Sequence, residues 1–228
     1  MNLKEHYESL YKTSIKQIEA DAYDIDTLID SPSDNRFGIT LLIRPSETIK
    51  NEIQKFLDIL KAIDPNQYYY VNSDIHITVM SIISCYDGFE LKSINISEYI
   101  TLINESIQNV SNLKIEFKGI TASTSCIMVQ GFMNTEALND ARNNLRIKFK
   151  NSTLKQSIDK RYTIQTAHAT VLRFKEKIID KSKFLEIVEK YKNHEFGTFE
   201  VKSIELVYND WYQKAKFVKK LSEFSIKN

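Results

Sequence analysis

Glycine, proline and cysteine are all scarce in this 228-residue chain, at five, three and two residues. So few helix- and strand-breakers, with no low-complexity repeat, argue against disorder. Two cysteines, Cys85 and Cys126, are too few for a disulfide framework and point to a reducing compartment. Excess charge is lacking too: 31 Lys and Arg against 30 Asp and Glu leave +1. That balance gives no electrostatic case for duplex DNA; a small nucleotide or an RNA end fits better as partner. No apolar stretch approaches a membrane span, and Met1-Asn2-Leu3-Lys4-Glu5-His6 has no apolar signal-like core. A cytoplasmic, monomeric protein that makes no membrane contact is expected.

Histidine is scarce as well, yet two of the four fall in one pattern. Asp74-Ile75-His76-Ile77-Thr78-Val79 and Thr166-Ala167-His168-Ala169-Thr170-Val171 both read His-x-Thr-Val within alternating runs. Side chains two apart on a strand share a face, so His76 and Thr78 point one way while Ile75, Ile77 and Val79 enter the core. His168 and Thr170 repeat this, backed by Ala167, Ala169 and Val171. Imidazole has the side-chain pKa closest to neutrality, so two of them flanking a phosphate can take one proton and give another. A threonine hydroxyl two residues on can donate to a non-bridging oxygen, where charge must be held. His6 and His194 lack this context and read as surface residues.

The surroundings repeat too. Phe37–Ile43 reads as a strand, and Ile49, Ile53, Phe56, Leu57 and Leu60 follow at helical spacing. Ser125–Phe132 reads as another strand, followed by the stripe Ala137, Leu138, Ala141, Leu145 and Phe149. Each half thus runs strand, helix, motif strand, which predicts two similar lobes facing each other across a cleft. A further helical stripe covers 3–20, ahead of a turn-rich linker at 30–35. The spacing also predicts a helix capped by Ser97, a helix at 182–191, and strands near 113–120, 198–202, 204–208 and 216–226.

Other residues carry double readings. Arg36, Arg44, Arg173 and Lys175 can hold phosphate or be solvated charges. Trp211, Tyr208, Tyr212 and Tyr68–Tyr70 can stack on a base or pack at the core's edge; Trp211, in a polar loop after a strand, is the preferred stacking residue. Thr40 and Gln130 either line the cleft or bond to backbone. Asp74 with the two histidines could ligate a metal, but no further His or Cys sits suitably near.

The paired motifs resemble those of the two-histidine phosphoesterase superfamily, which includes cyclic phosphodiesterases and 2′-5′ RNA ligase-like proteins. Gly38–Pro45 and Val207–Tyr212 are also similar to the bacterial 2′-5′ RNA ligase branch, and the likeness covers roughly 36–228. It implies an α+β, bilobal, pseudo-duplicated fold with two antiparallel sheets facing a central cleft and helices outside. It implies catalysis by His76, Thr78, His168 and Thr170 without metal or cofactor. Residues 1–35 are then an N-terminal helical extension and linker, and 36–228 the two-lobed domain. The expected activity is opening or transfer of a 2′-linked or cyclic phosphodiester, with substrate contacts from Trp211, Tyr208, Arg44, Arg36 and Thr40. The alternative is a nucleotide-binding module with little turnover.

Overall fold

The apolar stripes and alternating runs become five α-helices and nine strands among residues 2–227, which the computed structural model describes. In chain order these are α1 (Leu3–Glu19), β1 (Arg36–Ile43), α2 (Glu47–Ile63), β2 (Tyr68–Tyr69), β3 (Ile77–Asp87), α3 (Ile96–Ile107), β4 (Lys114–Ser123) and β5 (Cys126–Met133). Then come α4 (Ala137–Lys150), β6 (Ala169–Arg173), α5 (Lys181–Tyr191), β7 (Glu195–Glu200), β8 (Ser203–Asp210) and β9 (Lys219–Ser225). Helix α3 is capped two residues earlier than expected: the side chain of Asn95, not Ser97, accepts the orphan amide of the first turn.

Two antiparallel sheets form, in the orders β3-β1-β8-β9 and β2-β6-β5-β4-β7. Each motif strand pairs with the strand that precedes its crossover helix, β3 with β1 and β6 with β5. The lobes are nonetheless not halves of the sequence. Strands β8 and β9, from the chain's end, complete the first sheet, while β2, from its first third, edges the second. The crossover helices are exchanged as well: α2 packs with α5, β7 and β6, and α4 packs with α3 and β3. Each lobe is therefore closed by a helix that belongs, by sequence, to the other motif.

One apolar core runs through both lobes. Ile75, Ile77, Val79, Ala167, Ala169 and Val171 are all fully buried in it, as the alternation of the motifs demands. Helix α1 joins the second sheet. Its face of Tyr7, Tyr11, Ser14 and Ile18 is buried, Ser14 Oγ donates to the Ala122 carbonyl (2.9 Å) and Thr121 Oγ1 to that of Tyr7 (3.1 Å).

Candidate active site

Both motif strands carry the same irregularity. On β3, Thr78 faces Leu42 and Met80 faces Leu41, which leaves Val79 as an extra residue. On β6, Thr170 faces Met128 and Leu172 faces Ile127, which leaves Val171 extra. A β-bulge bends its strand and re-aims side chains, and here it follows directly on each motif threonine. The sequence holds the sign of it: Val79-Met80 and Val171-Leu172 are adjacent, buried apolar residues that break the alternation.

His76 and Thr78 from one sheet and His168 and Thr170 from the other line a single cleft of about 160 Å³. All four are half-buried, and neither threonine hydroxyl bonds to another described residue. The imidazoles are held differently. His76 Nδ1 lies 2.8 Å from the Asp74 carbonyl, which only accepts, so Nδ1 carries the proton and the neutral ring presents a lone pair on Nε2. His168 Nδ1 lies 2.7 Å from Thr166 Oγ1, a hydroxyl able to donate or accept. Burial pulls both histidines down from their ordinary value to about 4, and nearby guanidinium groups act in the same direction. The resting site thus favours two neutral rings at neutral pH.

Beneath the cleft lies a side chain that sequence reasoning passed over. Arg142 of α4 is fully buried and spans the two motifs. Its Nε donates to the Val79 carbonyl (3.0 Å), and its Nη2 to those of Thr78 (3.1 Å) and Thr166 (2.8 Å). The bulge brings two successive carbonyls of β3 within reach of one guanidinium. An arginine inside an otherwise apolar stripe (Leu138, Ala141, Leu145, Phe149) was the available signal. Gly131 closes the second lobe in another way: a side chain there would meet the Ala167 carbonyl at 2.0 Å, so β5 can approach the His168 segment only without one.

The cleft suits an anion. Arg161 and Arg173 line it, and the only carboxylate among its described lining residues, Asp159, is paired with Arg146 at 2.6 Å. Arg173 Nε donates to Tyr70 Oη (3.0 Å), which fixes the guanidinium at the cleft wall.

The family profile of the AKAP7 2′5′ RNA ligase-like domain matches residues 37–226. The chain belongs to this family. It is thereby a member of the two-histidine phosphoesterase superfamily. Among solved structures, TT0787 of Thermus thermophilus is similar, with TM-score 0.59 and 12% identity, over 84% of this chain and 98% of that one. Escherichia coli LigT complexed with 3′-AMP is similar at TM-score 0.54 and 9% identity, over 85% of this chain and 100% of that one. A structure described as a phosphoesterase gives 0.52 and 11%, over 84% and 99%. At these identities the likeness is one of fold. No functionally curated protein matches the sequence.

Within this two-histidine fold, several residues expected at the substrate lie elsewhere. Arg36 is held by Asp34 (2.8 and 2.7 Å) and the Tyr212 hydroxyl (3.0 Å), so its donors are spent outside the cleft. Arg44 donates to the Ser73 carbonyl (2.9 Å) and pairs with Glu205 (3.4 Å). Tyr208 stacks on Phe37, centroids 4.9 Å apart, and its hydroxyl donates to the Phe89 carbonyl. Trp211 does border the cleft, but its ring already carries the guanidinium groups of Arg161 (4.1 Å) and Arg36 (4.6 Å). It thus props Arg161 at the rim instead of offering an open stacking face. Thr40, Tyr70 and Arg173 line the cleft; Gln130 bonds to the Ile120 carbonyl, and Lys175 pairs with Asp30. Asp74, weighed as a metal ligand, uses its carboxylate to accept from Ser73 Oγ (2.7 Å) and the Ala215 amide (3.0 Å). No helix among the described residues is long and apolar enough to cross a membrane.

Proposed function

We propose that this protein cleaves a 2′-linked or cyclic phosphodiester of RNA or a nucleotide by acid–base catalysis from two histidines, without a metal. The observation that carries the reading is the meeting of both His-x-Thr pairs in one electropositive cleft. His76 is the base: its Nδ1–H is committed to the Asp74 carbonyl, and its Nε2 lone pair takes the proton of the attacking hydroxyl. His168 is the acid: as the imidazolium it donates its Nδ1–H to Thr166 Oγ1 and presents Nε2–H to the departing oxygen. The phosphodiester anion, once between the rings, also favours a protonated imidazole beside it. Thr78, Thr170 and Arg173 hold the phosphoryl oxygens, where negative charge accumulates. That LigT was solved with 3′-AMP agrees with a nucleotide-sized substrate.

The test is a turnover screen in EDTA of four substrates: a 2′,3′-cyclic RNA end, a 2′-5′ linkage, a cyclic oligonucleotide and a small cyclic nucleotide. At least one should be cleaved at undiminished rate. Loss of activity in chelator, restored by zinc or manganese, would mean a different chemistry. Binding without turnover of any of the four would leave a nucleotide-binding module in its place.

A further inference from the structure

Helix α1 lies outside the family domain at 37–226, yet it reaches the back of the second motif. The residue that does so is Tyr7, which is fully buried. Its Oη donates to the Gly131 carbonyl on β5 (3.2 Å) and accepts from the Gly131 amide (3.3 Å). Gly131 in turn abuts the carbonyl of Ala167, one residue before His168. The Tyr7 hydroxyl is thereby brought to the Thr166–His168 segment, where the Thr166 side chain and the Ala167 backbone are among its hydrogen-bonding neighbours.

Counting donors gives that contact a direction. A phenol has one proton and two acceptor sites. The proton goes to the Gly131 carbonyl and one acceptor site to the Gly131 amide, so only an acceptor site is left for Thr166. Burial pushes the Tyr7 phenol up to about 12, so it keeps its proton at neutral pH. Thr166 then donates its hydroxyl proton to Tyr7 and turns its lone pairs to His168 Nδ1, 2.7 Å away. Arg142 holds the Thr166 carbonyl (2.8 Å) and so fixes the backbone from which this hydroxyl projects.

That orientation matters to an imidazole that must carry a charge. Burial opposes a proton on His168, and so do Arg142, His6 and Arg173. His6, expected to be a plain surface residue, lines a cavity with His168 instead. His76, across the cleft, brings no negative charge either. Among the described residues the partner of Nδ1 is the Thr166 hydroxyl, which accepts only when its own proton is bound elsewhere.

We propose that Tyr7 is a positioning residue for the acid half of the reaction: through Thr166 it biases His168 toward Nδ1–H, so that Nε2 is the nitrogen that gains and delivers the proton. The inference rests on the acid–base reading above. When His168 protonates the departing oxygen, its Nε2–H bond breaks and an O–H bond forms. The ring is left neutral, with Nδ1–H still donated to Thr166.

Tyr7→Phe removes one oxygen and keeps the ring against Phe132, centroids 5.5 Å apart. Nitrogen-15 NMR of the His168 ring at pH 7, assigned by its loss in His168→Gln, reads the tautomer without any substrate. The wild type should hold mainly Nδ1–H. Tyr7→Phe should raise the Nε2–H share about two-fold or more, because Thr166 is then free to donate. On whichever of the four substrates is cleaved, Tyr7→Phe should lower kcat about five-fold with KM within about two-fold. Added to Thr166→Val it should have no further effect, since Tyr7 acts through that hydroxyl. Tyr11→Phe removes another α1 hydroxyl, bonded to Glu189, and serves as the control for helix docking; it should leave tautomer and kcat unchanged. An unchanged tautomer in Tyr7→Phe, the same change in Tyr11→Phe, or a loss of kcat that adds to that of Thr166→Val would overturn the proposal. A tautomer shift with no turnover of any substrate would instead overturn the acid–base reading and leave the link from Tyr7 to His168 standing.

Discussion

The two His-x-Thr-Val motifs differ little in sequence and considerably in surroundings. His76 immediately precedes β3, an edge strand, with its ring tied to a backbone carbonyl; His168 immediately precedes β6, which is flanked on both sides, with its ring tied to a side-chain hydroxyl. Five residues after each histidine the lobes diverge again, with Ser81 on one wall of the cleft and Arg173 on the other. A duplicated pattern has thus been placed in unlike settings, one that fixes a tautomer and one that lets it change. In the proposed mechanism this difference is what assigns equivalent imidazoles to unequal roles.

The comparison breaks most completely at Arg142, which serves both motifs. Arg142→Met keeps the bulk but leaves three buried carbonyls without their donor, each costing about 1–3 kcal/mol. Relief from burying an unpaired charge offsets part of this, so a net loss of about 2–5 kcal/mol is expected in denaturant unfolding. Activity should fall on both sides of the reaction, and an unchanged unfolding midpoint would show that the guanidinium is not holding the lobes.

His76→Ala and His168→Ala should each reduce kcat by about 10²-fold or more, and the double variant should be barely worse than either alone. Full activity after removal of one histidine would make the duplicated motif structural. Thr78→Val and Thr170→Val should each cost roughly 1–3 kcal/mol of transition-state stabilisation, read from kcat/KM.

A finer contrast lies two residues before each histidine. Thr166→Val removes the partner of His168 Nδ1 and should lower kcat about 10-fold with KM within two-fold. Asp74→Asn, at the matching position, should change kcat by less than two-fold, because the backbone carbonyl holds the His76 ring. Equal effects at the two sites would erase the asymmetry proposed here.

The smallest effect is on stability against pH. Both histidines titrate near 4 when folded and near 6.5 when unfolded, so the neutral rings contribute stability that is complete above about pH 6.5. Protonation of the unfolded chain erodes it as pH falls from 6.5 through 4. Since the rings are partly exposed, the loss should be about 1 kcal/mol for each. A His76→Gln, His168→Gln double variant should show a shallower acid slope in thermal unfolding than the wild type.

Much was readable in the chain itself. The apolar faces of the motifs, the stripes of α1, α2, α4 and α5, and the paired His-x-Thr spacing all follow from local periodicity, which one sequence carries in full. Thr40 and Arg173 were among the candidates and do line the cleft, whereas Arg36, Arg44 and Tyr208 found partners of their own: Asp34, Glu205 and Phe37. Whether a cation or an aromatic ring faces a ligand depends on which neighbour reaches it first, and local pattern does not hold that information.

The sequence by itself determined that two strands would each present a histidine and a threonine on one face, because alternation on a strand is a short-range property. Only the tertiary structure decided that the lobes would exchange their crossover helices, that β8 and β9 would return to the first sheet, and that Arg142 would join motifs lying 64 and 24 residues from it. Those choices are made by long-range burial and by the need of every buried carbonyl for a donor, and they are settled across the whole chain at once.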